Sequence, residues 1–123
     1  MGSDQPRQRT RVFSSNELPD GTMRQARIGH RVLLLVRRGD TVYALRDVCP
    51  HQGAPLSAGL LTCARKPASV GHYEPEHSGV IVRCPWHNWE IDVSCGAARH
   101  DRERFRIATY PAGIEDDQGF VEV

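Results

Sequence analysis

The sequence predicts an antiparallel all-β domain, and three observations carry that prediction. Short runs rich in β-branched and aliphatic residues recur along the chain, each closed by Gly, Pro, Asn or Asp. No stretch shows the sustained 3.6-residue periodicity of a long amphipathic helix. With 123 residues, 39% of them hydrophobic, the chain supports one core but not a second.

The elements follow in order. Residues 1–10, "MGSDQPRQRT", are polar, lack the apolar centre of a signal peptide, and read as a flexible tail before a single domain at 11–123. "RVFSSNELPDG" opens as a strand and dissolves into a turn cluster. "TMRQARI", "RVLLLVR" and "TVYALRD" are three strands. Gly29–His30 and Arg38–Asp40 join them as tight hairpin turns. The aliphatic run Val32–Val36 does not alternate, so its strand is expected to be buried on both faces. Pro50, Gly53, Pro55 and Gly59 hold the next segment in a loop, with one helical turn at "PLSAGLL". Residues 63–79, "CARKPASVGHYEPEHSG", read as a polar, turn-rich excursion from the core. "VIVR" is a strand, followed by "WEIDV", "RIATYPAGIE" and "GFVEV", the last two joined by the turn "DDQG".

Composition excludes some functions. A net charge of +1, with arginines and acids interspersed, gives no basic stripe for a nucleic acid. The longest aliphatic run, Val32–Val36, is far short of the roughly 20 residues that cross a bilayer. No membrane or nucleic-acid partner is therefore expected, and a cytoplasmic location is. In that reducing compartment four cysteines suggest metal ligation before disulfides.

Two loops carry the chemistry. "VCPHQGAPL" (48–56) and "CPWHNWE" (84–90) each present one cysteine and one histidine beside a proline, at the end of a strand. Zinc sites usually pair like with like, two cysteines in a knuckle and two histidines on a helix. Cys49, His51, Cys84 and His87 could hold a single tetrahedral zinc. They could also hold a [2Fe–2S] cluster with both thiolates on one iron and both imidazoles on the other. The mixed half-sites favour the cluster, because two facing loops would then each serve both ends of an elongated centre.

"CPHQGAPL" and "CPWHNWEID" resemble the two cluster-binding boxes of Rieske iron–sulfur proteins, and the flanking strands match from Val12 to Val123. The resemblance implies the Rieske-type fold: stacked antiparallel sheets with a two-loop cluster-binding tip. It implies a [2Fe–2S] cluster whose two irons are held by Cys49 with Cys84 and by His51 with His87. Pro50, Gln52, Pro85, Trp86 and Asn88 would ring an electron port at the two imidazoles. Trp86 serves either that port or simple loop packing.

The chain departs from the family pattern in two places. Thirty-two residues separate His51 from Cys84, more than compact members have, which a loop absorbs at little entropic cost. Asn88 replaces the glycine usual after the second histidine; asparagine is the best substitute if that position needs positive φ. High-potential members also carry an extra cysteine in each box and a hydroxyl after the second histidine. Gly53, Ala54, Trp86 and Trp89 supply neither, which points to a low potential.

The remaining candidates are blander. Cys63 and Cys95 read as small hydrophobes or inert thiols. His72 and His77, with Glu74 and Glu76 between them, read as a solvated loop, and His30 and His100 as surface residues. The resemblance implies a soluble Rieske-type ferredoxin passing one electron from a flavin-dependent reductase to a terminal oxygenase, with no turnover of its own. Two alternatives stay open: the small Rieske subunit of a nitrite reductase, bound to its large subunit, and a structural zinc module.

Overall fold

A computed structural model describes the backbone of residues 9–69 and 72–123 and the side chains of residues 9–62 and 80–123. In chain order the strands are β1 (Arg9–Ser14), β2 (Met23–Ile28), β3 (Arg31–Arg38), β4 (Thr41–Arg46), β5 (Leu60–Ser69) and β6 (His72–Arg83). They continue as β7 (Glu90–Asp92), β8 (Ala97–Ala98), β9 (Thr109–Tyr110), β10 (Ala112–Glu115) and β11 (Gln118–Glu122). Single 3-10 turns occupy Ser15–Glu17 and Leu56–Ala58. Three sheets result, with orders β1-β11-β10, β2-β3-β4-β9 and β5-β6-β7-β8. All their pairings are antiparallel.

The layer order follows from β3. Leu33 and Leu35 turn to one core, with Val42, Ala44, Phe13 and Val121. Leu34 and Val36 turn to the other, with Leu45, Val80, Val82 and Ile91. All four β3 residues have no exposed surface, so this strand is buried on both faces as its unbroken aliphatic run requires. The β2-β3-β4-β9 sheet is the middle layer, and the cluster-loop candidates sit over the core it shares with β5-β6-β7-β8.

Turn chemistry sets the registers. Ile28 pairs with Arg31 and Arg38 with Thr41, leaving two-residue turns that begin at Gly29 and Gly39. Both glycines have positive φ, +62° and +61°, the conformation that lets a tight turn match strand twist. The last hairpin turns on Asp116 and Asp117, both at positive φ, between the paired Glu115 and Gln118.

Four expectations are corrected. The expected single core is two, one on each face of β3. The run "RIATYPAGIE" is not one strand: it breaks at Pro111 into β9 of the middle sheet and β10 of the outer one. Proline has no N–H for a ladder, so the chain changes sheets there. The excursion at 63–79 is not a loop; its described backbone extends β5 and β6 as a hairpin arm, with Cys63 opposite Val80 and Arg65 opposite Pro75. Its polar composition hid the ladder, because backbone pairing needs no apolar side chain. Arg9 and Thr10, placed in the tail from sequence, pair with Glu122 and Val121. Residues 1–8 lie outside the described residues, as do the side chains of Cys63, His72, Glu74, Glu76 and His77.

Candidate metal centre

Loop 1 (47–59) leaves the middle sheet after β4, and loop 2 (84–89) closes the β6–β7 hairpin. Both begin with the same backbone device. The Cys49 carbonyl accepts from the Gly53 N–H (2.9 Å), and the Cys49 N–H donates to the Ala54 carbonyl (2.7 Å). The Cys84 carbonyl accepts from the Asn88 N–H (3.0 Å), and the Cys84 N–H donates to the Trp89 carbonyl (2.8 Å). In each loop the fourth residue after cysteine is left-handed: Gly53 at φ +78° and Asn88 at φ +58°. The unusual Asn88 therefore stands where positive φ is required, and asparagine meets that need at modest cost.

The loops are braced from below. Asp47, 8% exposed, accepts from the Ser57 N–H (2.7 Å), the Ser57 hydroxyl (2.5 Å) and Gln25 Nε2 (2.7 Å). This carboxylate ties the two ends of loop 1 to each other and to β2, with its lone pairs satisfied by three donors. Loop 1 leaves through Gly59, which crosses the Arg83 carbonyl at the base of loop 2.

The four predicted donors come together at this tip, divided into two pairs. Cys49 and Cys84 are 1% and 2% exposed and belong to the core cluster with Leu56, Val82 and Ile91. Both are free thiols. Burial pushes the Cys49 thiol above its usual range, and hydrogen bonding and charge repulsion with Cys84 raise it further. Backbone N–H groups of His51 and Gln52 act in the opposite direction, since they favour the thiolate. His51 and His87 are exposed, with ring centroids 5.0 Å apart.

This is an inner sulfur pair and an outer nitrogen pair. The donor set fits a two-iron centre with thiolates at one end and imidazoles at the other.

Two residues at this tip have roles that the sequence did not disclose. Trp89, from loop 2, stacks on the His51 ring of loop 1 at 4.1 Å and 7°. Its other contacts, edge-on to Phe105 and His100, fix the indole. Gln52, from loop 1, places Oε1 2.8 Å from His87 Nε2 of loop 2. Each imidazole is thus held by a side chain of the opposite loop. A tryptophan five residues after the second cysteine was the only available hint. Trp86 is 57% exposed, so it does not pack the loop. Cys95 is half-buried beside Arg102 Nη1, away from the loops.

Comparisons with known proteins agree with this geometry. Residues 8–111 match the family model described as the Rieske [2Fe-2S] domain. Proteins named apoptosis-inducing factor 3 from Mus musculus and Homo sapiens are 35% identical over 85 residues, 69% of this chain. The chain spans only 11% of their length. Ferredoxin CarAc of Metapseudomonas resinovorans is 30% identical over 112 residues, covering 90% of each chain. Among solved structures, the ferredoxin of carbazole 1,9a-dioxygenase from Nocardioides aromaticivorans IC177 superposes with a TM-score of 0.70. It is 22% identical, over 93% of this chain and 96% of that one. A chain assigned as an NADH-dependent nitrite reductase small subunit from Mycobacterium tuberculosis superposes with a TM-score of 0.72. It is 20% identical, over 95% and 96% of the two chains. At these identities the two structures attest the fold alone. The sequence match, the fold and the two-loop tip together place this chain in the Rieske [2Fe-2S] domain family.

Proposed function

We propose that this chain is a one-electron carrier whose [2Fe–2S] cluster is held by Cys49 and Cys84 on the inner iron and by His51 and His87 on the outer one. The observation that carries the reading is the division of the tip into a buried thiol pair and an exposed imidazole pair. When bound, the cluster supplies reversible one-electron redox chemistry. The chain's own residues hold it, set its surroundings and expose one edge. The apolar seat under Cys49 and Cys84 keeps water from the sulfur end, while His51 and His87 stand at the surface where a partner can approach. Trp86, exposed next to Pro85 in the chain, offers that partner an aromatic contact.

The partners in this reading are a flavin-dependent reductase as donor and a terminal oxygenase as acceptor, in the cytoplasm. The name ferredoxin CarAc supports the carrier role, and the ferredoxin of carbazole 1,9a-dioxygenase supports an oxygenase acceptor; the flavin-dependent donor follows from the family resemblance. No helix among the described residues is long and apolar enough to cross a membrane. A permanent nitrite reductase subunit would instead co-purify with a large partner, which distinguishes the two.

The direct test is spectroscopic. The purified protein is expected to be red-brown, to bleach with dithionite, and to give an electron paramagnetic resonance signal of mixed Cys/His ligation when reduced. A colourless protein with one zinc, or a signal of all-cysteine ligation, would overturn the reading.

The potential is expected in the lower half of the Rieske range of roughly −150 to +300 mV. Gly53, Ala54 and Trp86 carry no thiol to bridge the loops. Trp89 donates no hydroxyl to a sulfur and spends its ring on His51. With fewer donors, the added charge of the reduced state is less stabilised. A redox titration with a midpoint in the upper half would refute this.

A further inference from the structure

We propose that Gln52 is the positioning residue of His87, and that it fixes which ring nitrogen is free for iron. The inference rests on His87 being a ligand. Gln52 Oε1 lies 2.8 Å from His87 Nε2, and an amide oxygen can only accept. The Nε2 atom must therefore carry the ring proton. In a neutral imidazole the other nitrogen, Nδ1, then keeps its lone pair unprotonated and available to a metal.

The bond also joins residues 35 apart in the chain. It closes loop 1 on loop 2 at the exposed rim, complementing the buried contact between Cys49 and Cys84. Its geometry differs in kind from the hold on His51. Stacking on Trp89 fixes the plane of the His51 ring but bonds neither of its nitrogens, so it does not select a tautomer. Gln52 selects the tautomer of His87. A ligand with its outward N–H bonded is oriented and made more basic, and such partners commonly change metal affinity about 10–100-fold when removed.

The test compares the full-length, cluster-loaded protein with Gln52→Leu and Gln52→Glu. Leucine removes the acceptor, and glutamate restores it in the same place. Two readouts are followed: the hyperfine couplings of the two coordinated imidazoles in pulsed EPR of the reduced protein, and the rate at which EDTA bleaches the oxidised cluster. Gln52→Leu is expected to broaden the couplings of one imidazole and to speed bleaching by about tenfold. Gln52→Glu is expected to keep narrow couplings and a bleaching rate close to the parent's. Parent-like behaviour of the leucine variant would overturn the proposal. So would a glutamate variant as labile as the leucine one, because the amide would then be meeting His87 through its nitrogen. A parent protein without imidazole couplings would overturn the ligand assignment itself.

Discussion

Replacing Cys84 with alanine is expected to give a colourless protein that retains neither iron nor the visible bands of the parent. A lost thiolate ligand costs no less than the 10–100-fold in affinity that supporting residues typically contribute. It also leaves one iron without half of its protein donors. Cys49→Ala should behave in the same way, because the two thiols form one inner pair. Cys95→Ala should keep full iron content, since Cys95 lies outside both loops, beside Arg102. Iron and acid-labile sulfide analysis decides the matter, and far-ultraviolet circular dichroism separates loss of cluster from loss of fold. Two irons per chain in the folded Cys84→Ala variant would remove Cys84 from the ligand set.

A large stability effect away from a ligand is expected at Gly59. A Cβ there would lie 2.0 Å from the Arg83 carbonyl oxygen and 3.1 Å from its carbon. Those are backbone atoms, so no rotamer change relieves the clash. Gly59 pairs the end of the Leu56–Ala58 turn, through its N–H bond to the Leu56 carbonyl (2.9 Å), with the strand that delivers Cys84. Alanine must push the exit of loop 1 away from the base of loop 2. A cost of about 2–4 kcal/mol follows, with a fall in melting temperature of roughly 8–15 °C. Loss of cluster should accompany it, because the two donor loops are spread. Gly21→Ala makes the useful contrast: its Cβ would meet nothing within 4 Å, leaving only a left-handed backbone penalty of about 1–2 kcal/mol. Equal melting temperatures for the two variants would refute the close approach.

Much of this site was legible as residue chemistry. Cys49, His51, Cys84 and His87 announce a metal centre by type and spacing, and Asn88 could be read correctly as a left-handed substitute before any coordinates. The unbroken run Val32–Val36 likewise foretold a strand buried on both faces. Other features were not legible. "RIATYPAGIE" reads as one strand, because local pattern cannot show that Pro111 divides two sheets. The arm at 63–79 reads as loop, because its polar letters lack the alternation that marks a half-buried strand. Gln52 looked like one member of a rim, and Trp89 like a missing hydroxyl.

Sequence alone determined the candidate donors, the strand-and-turn grammar and the low count of groups able to stabilise a reduced cluster, since each depends on residue identity and near neighbours. Tertiary structure alone decided that the thiols form a buried pair and the imidazoles an exposed one. It also decided that Gln52 grips His87 and Trp89 covers His51, each across from the opposite loop. The physical reason is chain closure. Loop 1 hangs from the middle sheet and loop 2 from an outer one, so their side chains meet only after the two layers have packed over a shared core.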